Sequence, residues 1–362
     1  MRIAILYGGK SGEHEVSLRS AASVIRHIDR SHKLHLIGIT KSGAWHLQPD
    51  STLEACLEDD EPLTIRSDGP SVLVVPGHGL RVYGTHGSSD LPIDVVFPVL
   101  HGTFGEDGTI QGLLECAEVA YVGADVLGSA IGMDKEAAKA LWLQAGLPVV
   151  PFMAVYSSDI GHIDELADRV ESAFGWPTFV KPARGGSSVG ASKVESRAGL
   201  KDALQKALLC DTKVLIEPFV QAREVECSVI GNNEPRAFPP GELIISHEFY
   251  DYEAKYIDPD GATFVIPARL EPEQLASLMK LAVAAYRAAA LSGMARVDFF
   301  VEKDSGVVLL NEVNTIPGFT SISMFPMMCE AGGLSYHDLL EELLRLAMER
   351  RQTRTTLHYD RV

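Results

Sequence analysis

Met294-Ala295-Arg296-Val297-Asp298 and Glu312-Val313-Asn314 are the stretches of this 362-residue chain whose residue types converge on one chemistry. Both read as strands. Residues two apart in a strand point to the same face, so Glu312 and Asn314 can meet Asp298 and Arg296 of a neighbouring strand on one surface. Three oxygen donors there suit Mg²⁺, which takes oxygen ligands and keeps substrate phosphates in its shell. Acidic residues at strand ends are most often simply solvated. Arg296 changes the balance, because a guanidinium beside these donors is costly for a mere fold and useful to a phosphate. The surface therefore points to nucleotide chemistry.

Positive charge for the phosphates has to come from particular lysines, since the chain carries a formal net charge of −17. Lys181 precedes the loop Arg184-Gly185-Gly186-Ser187-Ser188-Val189-Gly190, and Lys135 opens the helix before it. Small residues in such a loop let successive backbone N–H groups approach a phosphate and let the loop fold down as a lid. Taken singly, each lysine reads as a solvated surface residue and the loop as a hairpin tip. The strand Leu215-Ile216-Glu217-Pro218-Phe219-Val220 ends at a domain junction, where an adenine can be clamped by backbone groups with Glu224 reaching ribose hydroxyls. Gly9-Lys10-Ser11 is no P-loop, because Ala4 stands where that motif needs its first glycine. Lys10 likewise breaks a Gly-x-Gly-x-x-Gly reading, so a dinucleotide fold is unsupported.

The elements that must position these residues follow from periodicity. Residues 2–7, 34–40 and 94–100 read as strands, and Ala21, Val24, Ile25 and Ile28 carry helical spacing, which predicts a parallel sheet with crossover helices. Ligands then belong at the carboxyl ends of the strands, where the polar, Gly-rich loops 8–15 and 101–108 sit. Residues 47–92 read as an insertion. Next come a helix at 134–145, strands at 149–155 and 178–183 and a helix near 163–174. The region from 218 is strand-rich around a helix at 271–292, closed by an amphipathic helix at 336–350 facing inward with Leu339, Leu340, Leu343, Leu344 and Ala347. The length predicts two or three domains. No basic stripe for nucleic acid and no apolar run of membrane-spanning length is present. Five widely spaced cysteines without Cys-x-x-Cys read as reduced thiols, which fits the cytoplasm.

Taken in order, Gly8-Gly9-x-Ser11-x-Glu13-His14-Glu15-Val16-Ser17, His101-Gly102-x-x-Gly105-Glu106-Asp107-Gly108, Val180-Lys181-Pro182 with Gly186-Ser187-Ser188-Val189-Gly190, Phe249-Tyr250-Asp251-Tyr252-Glu253-Ala254-Lys255-Tyr256 and Glu312-Val313-Asn314-Thr315-x-Pro317-Gly318 resemble the D-alanine–D-alanine ligases of the ATP-grasp superfamily. The resemblance runs from residue 2 to about 345. It implies an α/β, three-domain ATP-grasp architecture: an N-terminal substrate-binding domain with a parallel sheet (1–123), a central ATP-grasp domain with a phosphate lid (124–217) and a C-terminal ATP-grasp domain with the metal site (218–362), the last two α+β and sandwiching ATP. The implied reaction is the ADP-forming ligation of two D-alanines through a D-alanyl phosphate, for peptidoglycan precursors, in the cytoplasm, by a homodimer. Its cofactors are ATP and two Mg²⁺ or Mn²⁺ ions; nucleic acid and membrane are not partners.

The same resemblance implies roles. Lys135, Lys181, Ser187, Ser188, Glu217, Val220, Glu224 and Lys255 fall on ATP, and Asp298, Glu312 and Asn314 on the metals. Glu15, His101, Tyr250, Lys255, Tyr256, Arg296, Ser323 and Met324 fall on the amino acids, and Glu15, Ser187, Tyr256, Arg296 and Gly318 on catalysis. Pro218 departs from the family, where lysine is frequent, and Arg184 is an addition without an assigned role. A different ATP-grasp carboxylate–amine ligase and a non-catalytic nucleotide sensor stand as alternatives; the loops at 13–17 and 250–256 speak against the first, and the intact set Asp298, Glu312, Asn314 against the second.

Overall fold

The computed structural model describes residues 1–58, 63–85, 87–245, 262–320 and 322–358. Three sheets organise them. Strand Arg2–Gly8 is central in the first, and Ile3 to Tyr7 are fully buried, as a strand covered on both faces must be. Lys33–Ile39 and Val95–Val99 flank it in parallel, and Ala120–Tyr121 joins Val95–Val99 in parallel. On the other side Trp45–Leu47, Ser71–Val75, Gly79–Gly84 and Gly87–Leu91 extend the sheet antiparallel. The stretch that reads as an insertion thus contributes strands Ser71–Val75, Gly79–Gly84 and Gly87–Leu91 to the sheet, with a helix at Asp50–Glu58.

Helix His14–His27 packs on this sheet through Ala21, Ala22, Val24 and Ile25. Ser17 ties its start to two strand ends, accepting from Gly8 N–H at 2.8 Å and donating to the Val99 carbonyl. The substrate-side loops therefore leave from one rigid corner.

The second sheet runs Ser192–Val194, Thr178–Pro182, Lys213–Pro218, Met153–Tyr156, all antiparallel. Helices Ile163–Ala173 and Leu200–Leu208 bury Leu166, Val170, Leu200 and Leu204 against it. The third sheet is built on Ala222–Ile230, Met294–Glu302 and Val308–Asn314 with helix Pro272–Ala288. Helix Lys135–Gln144, next to the second sheet in sequence, buries Ala138 and Trp142 in the core of the third. Trp142 Nε1 donates to the Ala285 carbonyl at 3.0 Å.

Helix Tyr336–Thr355 buries Leu339, Leu340, Leu343, Leu344 and Ala347, with Leu346 besides. Its far end reaches the first sheet: Arg350 donates to the Tyr121 carbonyl at 2.7 Å and to that of Gly123, and Arg354 pairs with Glu115. The five cysteines are free thiols. Among the described residues no helix is long and apolar enough to cross a membrane.

Candidate active site

Two elements build a lysine cluster. Asp134 caps helix Lys135–Gln144 by accepting from Ala137 N–H at 3.1 Å, and Lys135 and Lys139 then lie one turn apart on the helix's buried side. On the second sheet Phe179 is opposite Glu217 in register, so Lys181, two residues on, shares the face of Glu217. Glu217 Oε1 is 2.8 Å from Lys139 Nζ and its Oε2 is 2.8 Å from Lys181 Nζ. Burial works to raise the Glu217 carboxyl, but the two ammonium groups outweigh it and hold it below its ordinary range. Burial pushes the Lys139 ammonium down to about 8 in spite of Glu217. Lys181 also donates to Asn311 Oδ1 at 3.0 Å.

Lys135, Lys181 and Glu217 border a cavity of about 940 Å³, large enough for a nucleotide. Lys135, Lys181, Ser187, Ser188, Glu217, Val220 and Glu224 all line it. The lid hangs from fixed points. Arg184, without a role in the sequence, anchors its stem: its backbone N–H donates to Asp211 Oδ2 and its Nη2 to Asp211 Oδ1, both at 2.7 Å. Lys135 Nζ donates to the Gly185 carbonyl at 2.7 Å and lies 3.3 Å from Glu312 Oε2. Ser187 and Ser188 both hold positive φ, 51° and 57°, a conformation non-glycine residues keep only where the surroundings enforce it.

The tip of the lid meets the first sheet. Ser187 Oγ donates to Glu13 Oε1 at 2.6 Å. A side chain at Gly186 or Gly102 would start 2.8 or 2.6 Å from Glu13 Oε2, so glycine at both positions is what lets the carboxylate sit between the two loops. Glu15 is placed elsewhere. Its side chain is half exposed and pairs with Lys41 at 2.5 Å, one helical turn from the exposed Arg19. The carboxylate that meets the 184–190 loop is Glu13, and Glu15 does not reach it.

The first and third sheets are stitched together at the same place. Ser11 Oγ donates to the His101 carbonyl at 2.6 Å. His101 Nδ1 donates to the Ile316 carbonyl and its Nε2 meets Ser20 Oγ, both at 2.9 Å. Burial lowers the His101 imidazole, which keeps it neutral, so Nε2 is the acceptor of the Ser20 hydroxyl proton. Glu106 accepts from Gly102 N–H at 2.7 Å and Ile316 N–H at 2.9 Å. Burial first, and then the charge of Glu13, push the Glu106 carboxyl up to about 8.

The strand pair that opens the sequence reading is in register as expected: Arg296 faces Asn314 and Asp298 faces Glu312. Arg296 grips Asp298 with Nε and Nη2 at 2.8 and 2.7 Å, and Glu226 Oε2 lies 3.0 Å from the same Nε. Burial opposes charge on Arg296, but Asp298 and Glu226 overcome it and the guanidinium stays protonated. Asn314 turns its Nδ2 to Asp298 Oδ2 at 2.9 Å, which leaves its Oδ1 directed away. Gly318 lies against Ser323, whose Oγ would be 2.7 Å from a Cβ there, and Met324 begins the next helix, buried. Tyr250, Lys255 and Tyr256 lie outside the described residues.

The sequence motifs assign no role to Glu13, Glu106, Lys139, Glu226 or Asn311. Glu13 and Glu106 stood inside quoted motifs, and Lys139 stands at the i+4 position from Lys135, a usable signal. Glu226 and Asn311 carry none beyond strand alternation.

A nucleotide-sized cavity between two sheets, a serine-glycine lid and a lysine–carboxylate wall define an ATP-grasp enzyme. Family models described as the D-ala D-ala ligase N-terminus and C-terminus match residues 2–124 and 141–345. The chain belongs to the D-alanine–D-alanine ligase family. It is 51% identical to the D-alanine–D-alanine ligase of Treponema denticola, over 98% of this chain and 97% of that one. It is 43% identical to D-alanine–D-alanine ligase A of Salmonella typhimurium, over 99% and 98%. Among solved structures it resembles the D-alanine–D-alanine ligase of Coxiella burnetii (34% identity, TM-score 0.83, 98% and 96% covered) and a D-Ala:D-Ser ligase of Enterococcus faecalis (35%, 0.81, 96% and 99%).

Proposed function

We propose that this protein joins two D-alanines to D-alanyl-D-alanine with ATP as the energy source, releasing ADP and phosphate, as a cytoplasmic homodimer supplying peptidoglycan synthesis. The observation that carries the reading is the Ser187–Glu13 contact, which puts the phosphate lid on the loop of the amino-acid side. A carboxylate is a poor acyl donor. The carboxylate of the first D-alanine attacks the γ-phosphate to form an acyl phosphate, while Lys135 and Lys181 neutralise the charge on the transferring group. The amine of the second D-alanine then attacks the acyl carbon. Arg296, its plane fixed by Asp298 and Glu226, and the Gly318 N–H stabilise the oxyanion, at about 3–4 kcal/mol for a donor of this kind. The closed lid keeps water from the acyl phosphate.

Asp298, Glu312 and Asn314 fit divalent cations by donor chemistry: two carboxylates and an amide oxygen, adjacent in register on paired strands. Bound there, Mg²⁺ or Mn²⁺ screens phosphate charge. Glu13 takes the ammonium of the first D-alanine and, through Ser187, the end of a proton path from the second amine, with Tyr256 as its outer member. Ser323 and Met324 serve the second amino acid, with Lys255 and Tyr256 assigned to the same substrate.

Phosphate release is the test. It is expected to require D-alanine and Mg²⁺, with ADP and the dipeptide as products, and D-serine belongs in the assay as competitor. AMP and pyrophosphate, or equal use of L-alanine, would overturn the reading.

A further inference from the structure

Lys139 is fully buried and faces away from the cavity that its neighbours line. Its Nζ is 2.8 Å from Glu217 Oε1, 3.3 Å from the Val150 carbonyl it donates to, and 6.0 Å from the centroid of the Phe152 ring. A buried ammonium is costly to hold, and a methionine of similar shape would fill the place at lower cost. What the charge does is visible one residue further on. Glu217 is itself buried, and its second oxygen holds Lys181. Facing Lys181 alone, Glu217 would be a desolvated carboxylate with one counter-ion, and an incoming phosphate would have to compete with it for that ammonium. With Lys139 on the opposite oxygen the carboxylate is shared, and Lys181 keeps a net positive field toward the cavity.

We propose that Lys139 is a positioning residue for the triphosphate: without touching the nucleotide, it divides the charge of Glu217 and so releases Lys181 to bind phosphate. This rests on the nucleotide reading of the cavity. Lys135, on the same helix, is engaged with Gly185 and Glu312 and cannot substitute for Lys139. The effect should therefore be confined to the phosphate end, because Lys139 lines no part of the cavity.

The experiment measures inorganic tripolyphosphate and adenosine as competitive inhibitors against ATP in wild type, Lys139→Met, Lys139→Met/Glu217→Gln and Lys181→Met. Lys139→Met is expected to weaken tripolyphosphate about tenfold or more and to leave adenosine within about twofold. The double variant removes the carboxylate that would pin Lys181, so tripolyphosphate should return to within about threefold of wild type. A merely structural role would shift both probes together or neither, and either result overturns the proposal. Should Lys139→Met not fold, the double variant decides: tripolyphosphate binding about tenfold weaker than wild type refutes the charge-sharing. Lys181→Met tests the site reading itself. If it leaves tripolyphosphate unchanged, that reading fails; if it weakens tripolyphosphate while Lys139→Met does not, only the present inference falls.

Discussion

Glu13→Gln is the substitution on which the site geometry makes its sharpest claim. The Glu13 carboxylate accepts the Ser187 hydroxyl at 2.6 Å and lies against Gly102 and Gly186, where a Cβ would start 2.6 and 2.8 Å from its Oε2. A hydrogen bond to an ionised acceptor contributes about 1.5–3 kcal/mol, and each 1.4 kcal/mol is about tenfold. Glutamine keeps the shape and can still accept from Ser187, so the loss is that of the charge, which on the proposed function also serves the substrate ammonium. The expected fall in kcat/KM for D-alanine is therefore roughly ten- to a hundredfold. Glu15→Gln is the paired control. Its half-exposed pair with Lys41 is of the surface kind, worth about 0–1 kcal/mol of stability, and kcat/KM should stay within about twofold. Both variants are assayed by phosphate release at varied D-alanine, with thermal melts to confirm folding. A large loss in Glu15→Gln together with wild-type behaviour in Glu13→Gln would refute the placement of the carboxylate and the lid contact with it.

Glu312→Gln should lower turnover by about a hundredfold or more with little change in Tm, because the residue faces Asp298 across the strands, so that removing its charge relieves repulsion and offsets the loss of a 3.3 Å pair with Lys135; near-normal turnover at ordinary Mg²⁺ would count against the metal assignment. Glu106 supplies a pH dependence: its folded carboxyl is raised from the ordinary 4.5 to about 8, so the fold holds the proton more tightly than the unfolded chain. That contribution is complete below 4.5 and disappears as pH rises through about 8. Across that window the Tm of wild type should fall more steeply than that of Glu106→Gln, and parallel profiles would show that Glu106 is not the group responsible. Arg184→Ala cuts the stem of the lid from Asp211 and should raise hydrogen exchange across residues 184–190, measured by mass spectrometry; unchanged protection there would mean that the Lys135–Gly185 contact alone holds the stem.

The strand pair at the heart of the site was legible because period-two alternation and pairing are the same statement in an antiparallel ladder. Once Asp298 faces Glu312, Arg296 has to face Asn314. The lid was legible too, since strand, small-residue loop and returning strand are consecutive in the chain and pair locally as Thr178 with Val194. Helix Lys135–Gln144 shows where local order misleads. It precedes the second sheet in sequence, yet Trp142 needs a deep apolar site and an acceptor for its indole N–H, and both are supplied by helix Pro272–Ala288 of the third sheet.

The choice between Glu13 and Glu15 turned on a single backbone position. Both carboxylates stand in one motif, and spacing alone cannot rank them. The chain decides by where it becomes helical: Glu13 is the residue before the first turn, at φ −100° and ψ 21°, so its side chain leaves toward the loops. Glu15 is inside that turn, and the helix must bury Val16, Ser17 and Ser20 against the sheet. With that face committed, Glu15 is rotated outward to Lys41. Lys139 is the converse case. It lies on the buried side of its helix, but its counter-ion arrives on a strand of a different sheet. A buried lysine therefore reads as an exposed one until the tertiary structure brings Glu217 to it, and the same contact is what gives Lys139 its leverage on Lys181.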